Sequence, residues 1–307
     1  MPSSIRGFDT SGAAVARPAR GVSRTRPWWI DVWVRMLAGK PLGTIGGVIV
    51  MAMLVAAVLA EWIAPYGYAQ TSLRERFIAT SAAHWLGTDE LGRDLLTRLI
   101  YGARISLYVG FGAVGLGSAL ATIIGILSAY FGGRTDMLVQ RGVDAWMAFP
   151  PLLLLMSIMS LVGPSVWNIT IVLGVAFGIQ NSRVVRGVAL GIKEHTYIES
   201  ARAMGSGHLA IAVRHILPNT LPTIIVVATT GLSTVILTEA SLSFLGLGVP
   251  PPFPTWGGML SLAGLDHMYQ APWLAIWPAV ALSLAVFGFN MLGDGLRDLL
   301  DPRLKGG

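Results

Sequence analysis

ISLYVGFGAVGLGSALATIIGILSAY, residues 105–130, carries no charged side chain along its whole length. A helix needs about 20 such residues to cross hydrocarbon, because every backbone amide there must be hydrogen-bonded within its own segment. The stretch reads as a membrane span, and so do the windows 43–63, 146–163, 165–182, 221–245 and 272–292. Composition agrees: of 307 residues, 53% are hydrophobic and 12% charged, with a mean hydropathy of +0.64, where soluble domains carry roughly twice that share of charge. The expected fold is an all-α membrane protein with six transmembrane helices.

The 22 Lys and Arg orient these spans. With the N-terminus inside, the cytoplasmic pieces hold Arg6, Arg17, Arg20, Arg24, Arg26, Arg35 and Lys40, then Arg134 and Arg141, then Arg183, Arg186, Lys193, Arg202 and Arg214, and finally Arg297, Arg303 and Lys305. The outer side holds only Arg74, Arg76, Arg93, Arg98 and Arg104, in or beside one long loop. Lys and Arg concentrate on the cytoplasmic side, so both termini are expected there. The net charge of +6 follows from that bias and does not point to nucleic acid.

Four segments follow: a cytoplasmic tail 1–42, a first span with its outer loop 43–104, a five-helix core 105–293, and a cytoplasmic tail 294–307. The first tail lacks an apolar run before a small-residue cleavage site, so it does not read as a signal peptide. Trp28, Trp29 and Trp33 suit an interfacial position just before the first span.

Small residues recur every fourth position at Gly117, Ala121, Gly125 and Ala129, and again at Thr170, Gly174, Gly178 and Ser182. Each series reads as one close-packing helix face. Gly110, Gly112 and Gly115 match the spacing of a dinucleotide fingerprint, but they lie inside an apolar helix with no strand before them.

Energy coupling is constrained by what the spans lack. Ion-coupled carriers keep an ionisable residue near mid-membrane, whereas Glu61, Asp144 and Glu239 fall toward span ends and the five histidines fall in or beside loops. That distribution disfavours an ion-coupled carrier or channel, a membrane hydrolase and a buried metal site, so no catalytic or metal-ligating residue is assigned. No cysteine is present, and no G-x-x-x-x-G-K-[ST] loop exists to cradle phosphates. Energy must come from a partner, unless the chain is only a membrane scaffold.

The longest internal cytoplasmic segment, 183–220, contains IKEHTYIESARAMGSGHLAIAVRHILPNTLP at 192–222. Tyr197 to Met204 has good helix formers, Gly205 and Gly207 interrupt, and His208 to Leu217 resumes a helix that Pro218 is expected to stop. Helix, bend and helix should lie outside the membrane.

This segment resembles the loop that ABC importer permeases present to their ATPases, with the pattern Glu-Ala-Ala, three residues, Gly, nine residues, Ile-x-Leu-Pro. Glu199, Ser200 and Ala201 fill the triplet, Gly205 the glycine, and Leu217 with Pro218 the end; Ser200 replaces alanine and His215 replaces isoleucine. Three further blocks resemble the second permease of the dipeptide, oligopeptide and nickel importers: SAAHWLGTDELGRDLLTRLIYGARISLYVG at 81–110, TEASLSFLGLGVPPPFPTWGGML at 238–260 and FGFNMLGDGLRDLLDPRLKG at 287–306.

Read from residues alone, the charges of LGTDELGRD form a solvated outer turn with local salt bridges or something more specific. Pro250, Pro251, Pro252 and Pro254 exclude helix and place Trp256 across the outer mouth, re-entrant or interfacial. Glu239 reaches interfacial water or faces substrate, the former favoured.

The resemblance implies a type I ABC importer permease fold that passes di- or oligopeptides, with nickel, glutathione or another small solute as alternatives. It implies a second homologous permease, two cytosolic ATPases that bind ATP and Mg, and an extracytoplasmic binding protein, around a chain with no cofactor of its own. Coupling would run through Glu199, Ser200, Ala201, Ala203, Gly205, Ser206, Gly207, His208, Leu217 and Pro218, with Gly205 and the residues after it as the docking turn and Glu199 bracing the elbow. Asn181, Ser233, Thr234 and Thr238 are candidates for the path, or else satisfy helix-to-helix hydrogen bonds.

Overall fold

The computed structural model describes residues 41–261 and 267–300. The expected N-terminal tail through residue 40, with Trp28, Trp29 and Trp33, and residues 301–307 of the C-terminal tail lie outside the described residues. Among the described residues the secondary structure is helical, apart from one isolated bridge between Thr88 and Asp94.

The helices are α1 (Pro41–Val58), α2 (Ala60–Ile63), α3 (Leu95–Phe131), α4 (Gly133–Met147), α5 (Pro151–Val162), α6 (Val166–Lys193) and α7 (Thr196–Ala203). They continue with α8 (His208–Phe244), α9 (Trp256–Met259) and α10 (Trp273–Leu300). Local chemistry sets several ends. Asp94 caps α3 by accepting from the Thr97 amide at 2.8 Å, and Ser165 caps α6 by accepting from the Asn168 amide at 3.0 Å. Pro151 opens α5 where its missing N–H costs nothing.

The six expected spans are met in part. Four helices, α1, α3, α8 and α10, are long and apolar enough to cross a membrane, and the α4–α5 pair, bent by 87°, makes a fifth if taken as one broken span. The window 146–163 holds only α5, whose 12 residues extend about 18 Å against a hydrocarbon thickness of about 30 Å. The window 165–182 lies in α6, which is long enough at 28 residues, but Gln180, Asn181 and Arg183 dilute its apolar character.

The two small-residue series face each other. A Cβ on Gly117 would sit 2.6 Å from the Gly174 carbonyl, one on Gly178 2.9 Å from the Gly117 carbonyl, and one on Gly125 2.8 Å from the Ser182 carbonyl. Hydrocarbon tails are as apolar as leucine, so close van der Waals packing of this kind, rather than escape from water, holds α3 against α6. The main core completes the bundle with Leu155 and Met159 of α5, Phe177 of α6, Leu232 and Ile236 of α8, and Phe289 of α10.

Pro218 does not stop the second helix of the cytoplasmic segment. From Ala212 to Ile216 the backbone is π-helical, the Leu217 N–H donates to the Ala212 carbonyl five residues back, and the helix runs on through Pro218 and Pro222 to Phe244. The wider turn accommodates the proline ring, and the Asn219 side-chain amide donates to the His215 carbonyl at 2.6 Å.

Candidate functional site

Two ends of α3 carry the polar chemistry. At its C-terminal end α6, α7 and the start of α8 form an elbow. α7 buries Ile198 and Ala201 one turn apart, and α8 buries Ile211, Ala212 and Ile216; these pack on Ala121, Ile126, Ala129 and Tyr130 of α3 and on Val185, Ala189 and Ile192 of α6. The bend is a Schellman motif: Gly205 has φ +82°, its N–H donates to the Arg202 carbonyl at 2.9 Å, and the Ser206 N–H donates to the Ala201 carbonyl at 3.0 Å. A Cβ on Gly205 or Gly207 would meet nothing within 4 Å. Beside this open space stand Met204 at 79% and Leu209 at 75% exposure.

The expected coupling residues divide by role. Ala201 is buried and Leu217 is half-buried against the elbow cluster. Glu199, Ser200, Ala203, Gly205, Gly207, His208 and Pro218 are exposed, and Ser206 is half-buried. Glu199 makes no ion pair among the described residues, and Ser200 donates to the Thr196 carbonyl at 3.0 Å. His215, where the resembled pattern has isoleucine, is half-buried with its ring centroid 6.3 Å from that of Tyr197.

Sequence reading did not single out Tyr130, whose Oη lies 2.8 Å from His208 Nδ1 and whose ring carries the Arg202 guanidinium 5.4 Å from its centroid. Its only sequence signal is an aromatic at the end of an apolar run. Nearby, Lys193 Nζ donates to the Ala129 carbonyl at 3.0 Å, and Asp136 binds Ser128 and the Arg186 side chain.

At the other end of α3 both aspartates of the LGTDELGRD run are buried, which favours the more specific of its two readings over the solvated turn. Asp89 is 3% and Asp94 4% exposed. Asp89 accepts from the Leu91 and Arg93 amides, each at 2.9 Å, and pairs with Arg93 Nε at 2.6 Å. Asp94 Oδ1 lies 2.9 Å from His84 Nδ1, and Trp273 of α10 donates to the Thr88 carbonyl at 3.2 Å. The charges are tolerated because each finds a partner inside the fold.

The proline-rich segment is not helical, and the chain after it turns back into the bundle. Trp256 is 2% exposed and donates to the Leu99 carbonyl at 3.2 Å, wedged between α3 and α8 rather than lying at an interface. Glu239 is 1% exposed and reaches no interfacial water; Ser243 donates to it at 2.6 Å and Ser106 at 3.4 Å. The reason is the close fold-back of α9, where a Cβ on Gly257 would stand 2.3 Å from the Ala240 carbonyl.

The four path candidates separate. Thr234 and Thr238 line a cavity of about 240 Å³ between α5, α6 and α8, with Trp146, Phe149 and Gln180. Ser233 faces the other way and donates to Asn290 of α10 at 2.9 Å, while Asn181 donates to the Phe177 carbonyl of its own helix at 2.9 Å.

A family profile described as binding-protein-dependent transport system inner membrane component matches residues 121–306. A second, described as the N-terminal TM domain of oligopeptide transport permease C, matches residues 27–80. The chain is 40% identical over 277 residues to a dipeptide transport system permease protein of Alkalihalophilus pseudofirmus, covering 90% of each chain. It is 40% identical over 295 residues to a glutathione transport system permease protein of Escherichia coli, covering 95% of this chain and 96% of the relative. It is 42% identical over 261 residues to a putative peptide transport system permease protein of Brucella suis, covering 85% and 88%. With matches of this extent over a bundle of apolar helices, the chain belongs to the family of binding-protein-dependent transport system inner membrane components, as a multi-pass permease of the inner membrane.

Proposed function

We propose that this permease imports peptides as the second of two homologous permease subunits, driven by two cytosolic ATPases that dock on the elbow. The chain crosses the membrane six times, with the bent α4–α5 pair as one crossing, α6 as another and both termini cytoplasmic. ATP and Mg belong to the ATPases, and an extracytoplasmic binding protein supplies the solute. Transport proceeds by alternating access, with closure of the ATPases carried through the elbow into the bundle as rigid-body motion. Thr234 and Thr238 contribute to the path.

The observation that carries this reading is the elbow's two-sided construction. Its inner side is anchored by fully buried Ile198 and Ile211, while its outer side presents Met204 and Leu209 around unfilled space at Gly205 and Gly207. A charged or polar surface would be the ordinary covering at the membrane's edge; exposed large apolar residues beside open backbone suit a protein partner. Peptide is favoured as solute by the relatives, whose names specify dipeptide, glutathione and peptide transport.

The test is Gly205→Trp in the complete importer. Co-purification of the ATPases and ATP-dependent dipeptide uptake into proteoliposomes should both be lost while the variant still folds. Uphill uptake by the purified chain alone, or full coupled uptake by the variant, would overturn the reading.

A further inference from the structure

We propose that Tyr130 is the joint through which the elbow moves α3, a positioning residue for transport; this rests on the elbow being where the ATPases dock. Tyr130 is 5% exposed and sits in the last turn of α3. Both arms of the elbow attach to its ring: His208, the first residue of α8, through the 2.8 Å hydrogen bond, and Arg202 of α7 through its guanidinium over the ring face. The other polar contacts on this turn come from α6, through Lys193, and from α4, through Asp136 and Gln140. Ile198, Ala201 and Ile211 also pack here, and the hydrogen bond adds a polar constraint to that packing. A hydrogen bond is directional and fixes the azimuth of α8 about α3.

What Tyr130 receives, α3 can deliver. The helix is uninterrupted for 37 residues and contains no proline, a rod of about 55 Å. Its far end is Asp94, locked to His84, and its second and third turns carry Trp256 against Leu99 and Gly102. Displacement at Tyr130 therefore reaches the buried polar loop and the α9 wedge without a hinge in between.

The chain has no cysteine, so Leu91→Cys, at a position 38% exposed in that far loop, gives this subunit a single thiol, and label read on its separated band reports the far end of α3. In the complete importer, ATP with vanadate should change the labelling rate of Leu91→Cys by a maleimide. Adding Tyr130→Phe, which keeps the ring, should shrink that change about fivefold, the factor that one net hydrogen bond sustains, with ATPase co-purification and hydrolysis unaltered. His208→Ala should shrink the labelling change by a similar factor, and the double variant should shrink it no further than either. A full ATP-driven change in Tyr130→Phe would overturn the proposal, as would no ATP-driven change in the unmodified background. If Gly205→Trp blocks the change and Tyr130→Phe does not, only the Tyr130 proposal falls; if Gly205→Trp leaves docking and the change intact, the docking reading falls with it.

Discussion

Glycines with positive φ occur at both ends of α3, and they differ in what surrounds them. Gly92, at φ +70° in the buried loop, is so enclosed that a Cβ would lie 1.8 Å from the Ser72 carbonyl oxygen. Gly205, at φ +82° in the elbow, has nothing within 4 Å of that position. At the loop end the space around Gly92 is filled by this chain, and the buried charges are paired within it. The elbow end is finished on its inner side only. One glycine serves the fold of this chain, and the other leaves room for something that is not this chain.

The contrast can be broken by substitution. Gly92→Val should have the largest effect, combining left-handed backbone strain with a backbone collision, for a loss above ~3 kcal/mol; it should remove the folded monodisperse peak in detergent. Gly205→Asn sharpens the elbow reading, because asparagine tolerates the left-handed region. It should fold normally and keep more than about half of the uptake, whereas Gly205→Trp should lose at least about tenfold; equal losses would trace both effects to the backbone alone.

Asp94→Ala should come next in stability. It removes the α3 cap and leaves His84 buried beside an empty partner position, about 2 kcal/mol in all, read as a lower thermal midpoint that Asp94→Asn partly restores. Ser233→Ala should cost least, ~0.6 kcal/mol for one interhelical hydrogen bond, with uptake unchanged. A large uptake defect there would return Ser233 to the path and dissolve its distinction from Thr234 and Thr238.

The elbow was the more legible end. Helix formers at 197–204, two glycines and a resumed helical pattern suffice to read helix, bend and helix, because those preferences are local. The loop end was less legible because charges in a connecting segment usually face water. Nothing local in LGTDELGRD states that Asp94 will find His84, or that Trp273 will find Thr88. Pro218 was misread for a related reason: a proline's local tendency is to end a helix, and the π-helical turn and Asn219 offset that tendency only in the assembled bundle.

The sequence by itself determined that this is a helical membrane protein with a helix-bend-helix segment, because unbroken apolar runs and spaced glycines limit the backbone wherever they occur. Only the tertiary structure decided which charges are buried, which small-residue faces meet, and that both arms of the elbow fasten to Tyr130. Those outcomes depend on partners distant in sequence, whose interaction exists only once the helices have packed.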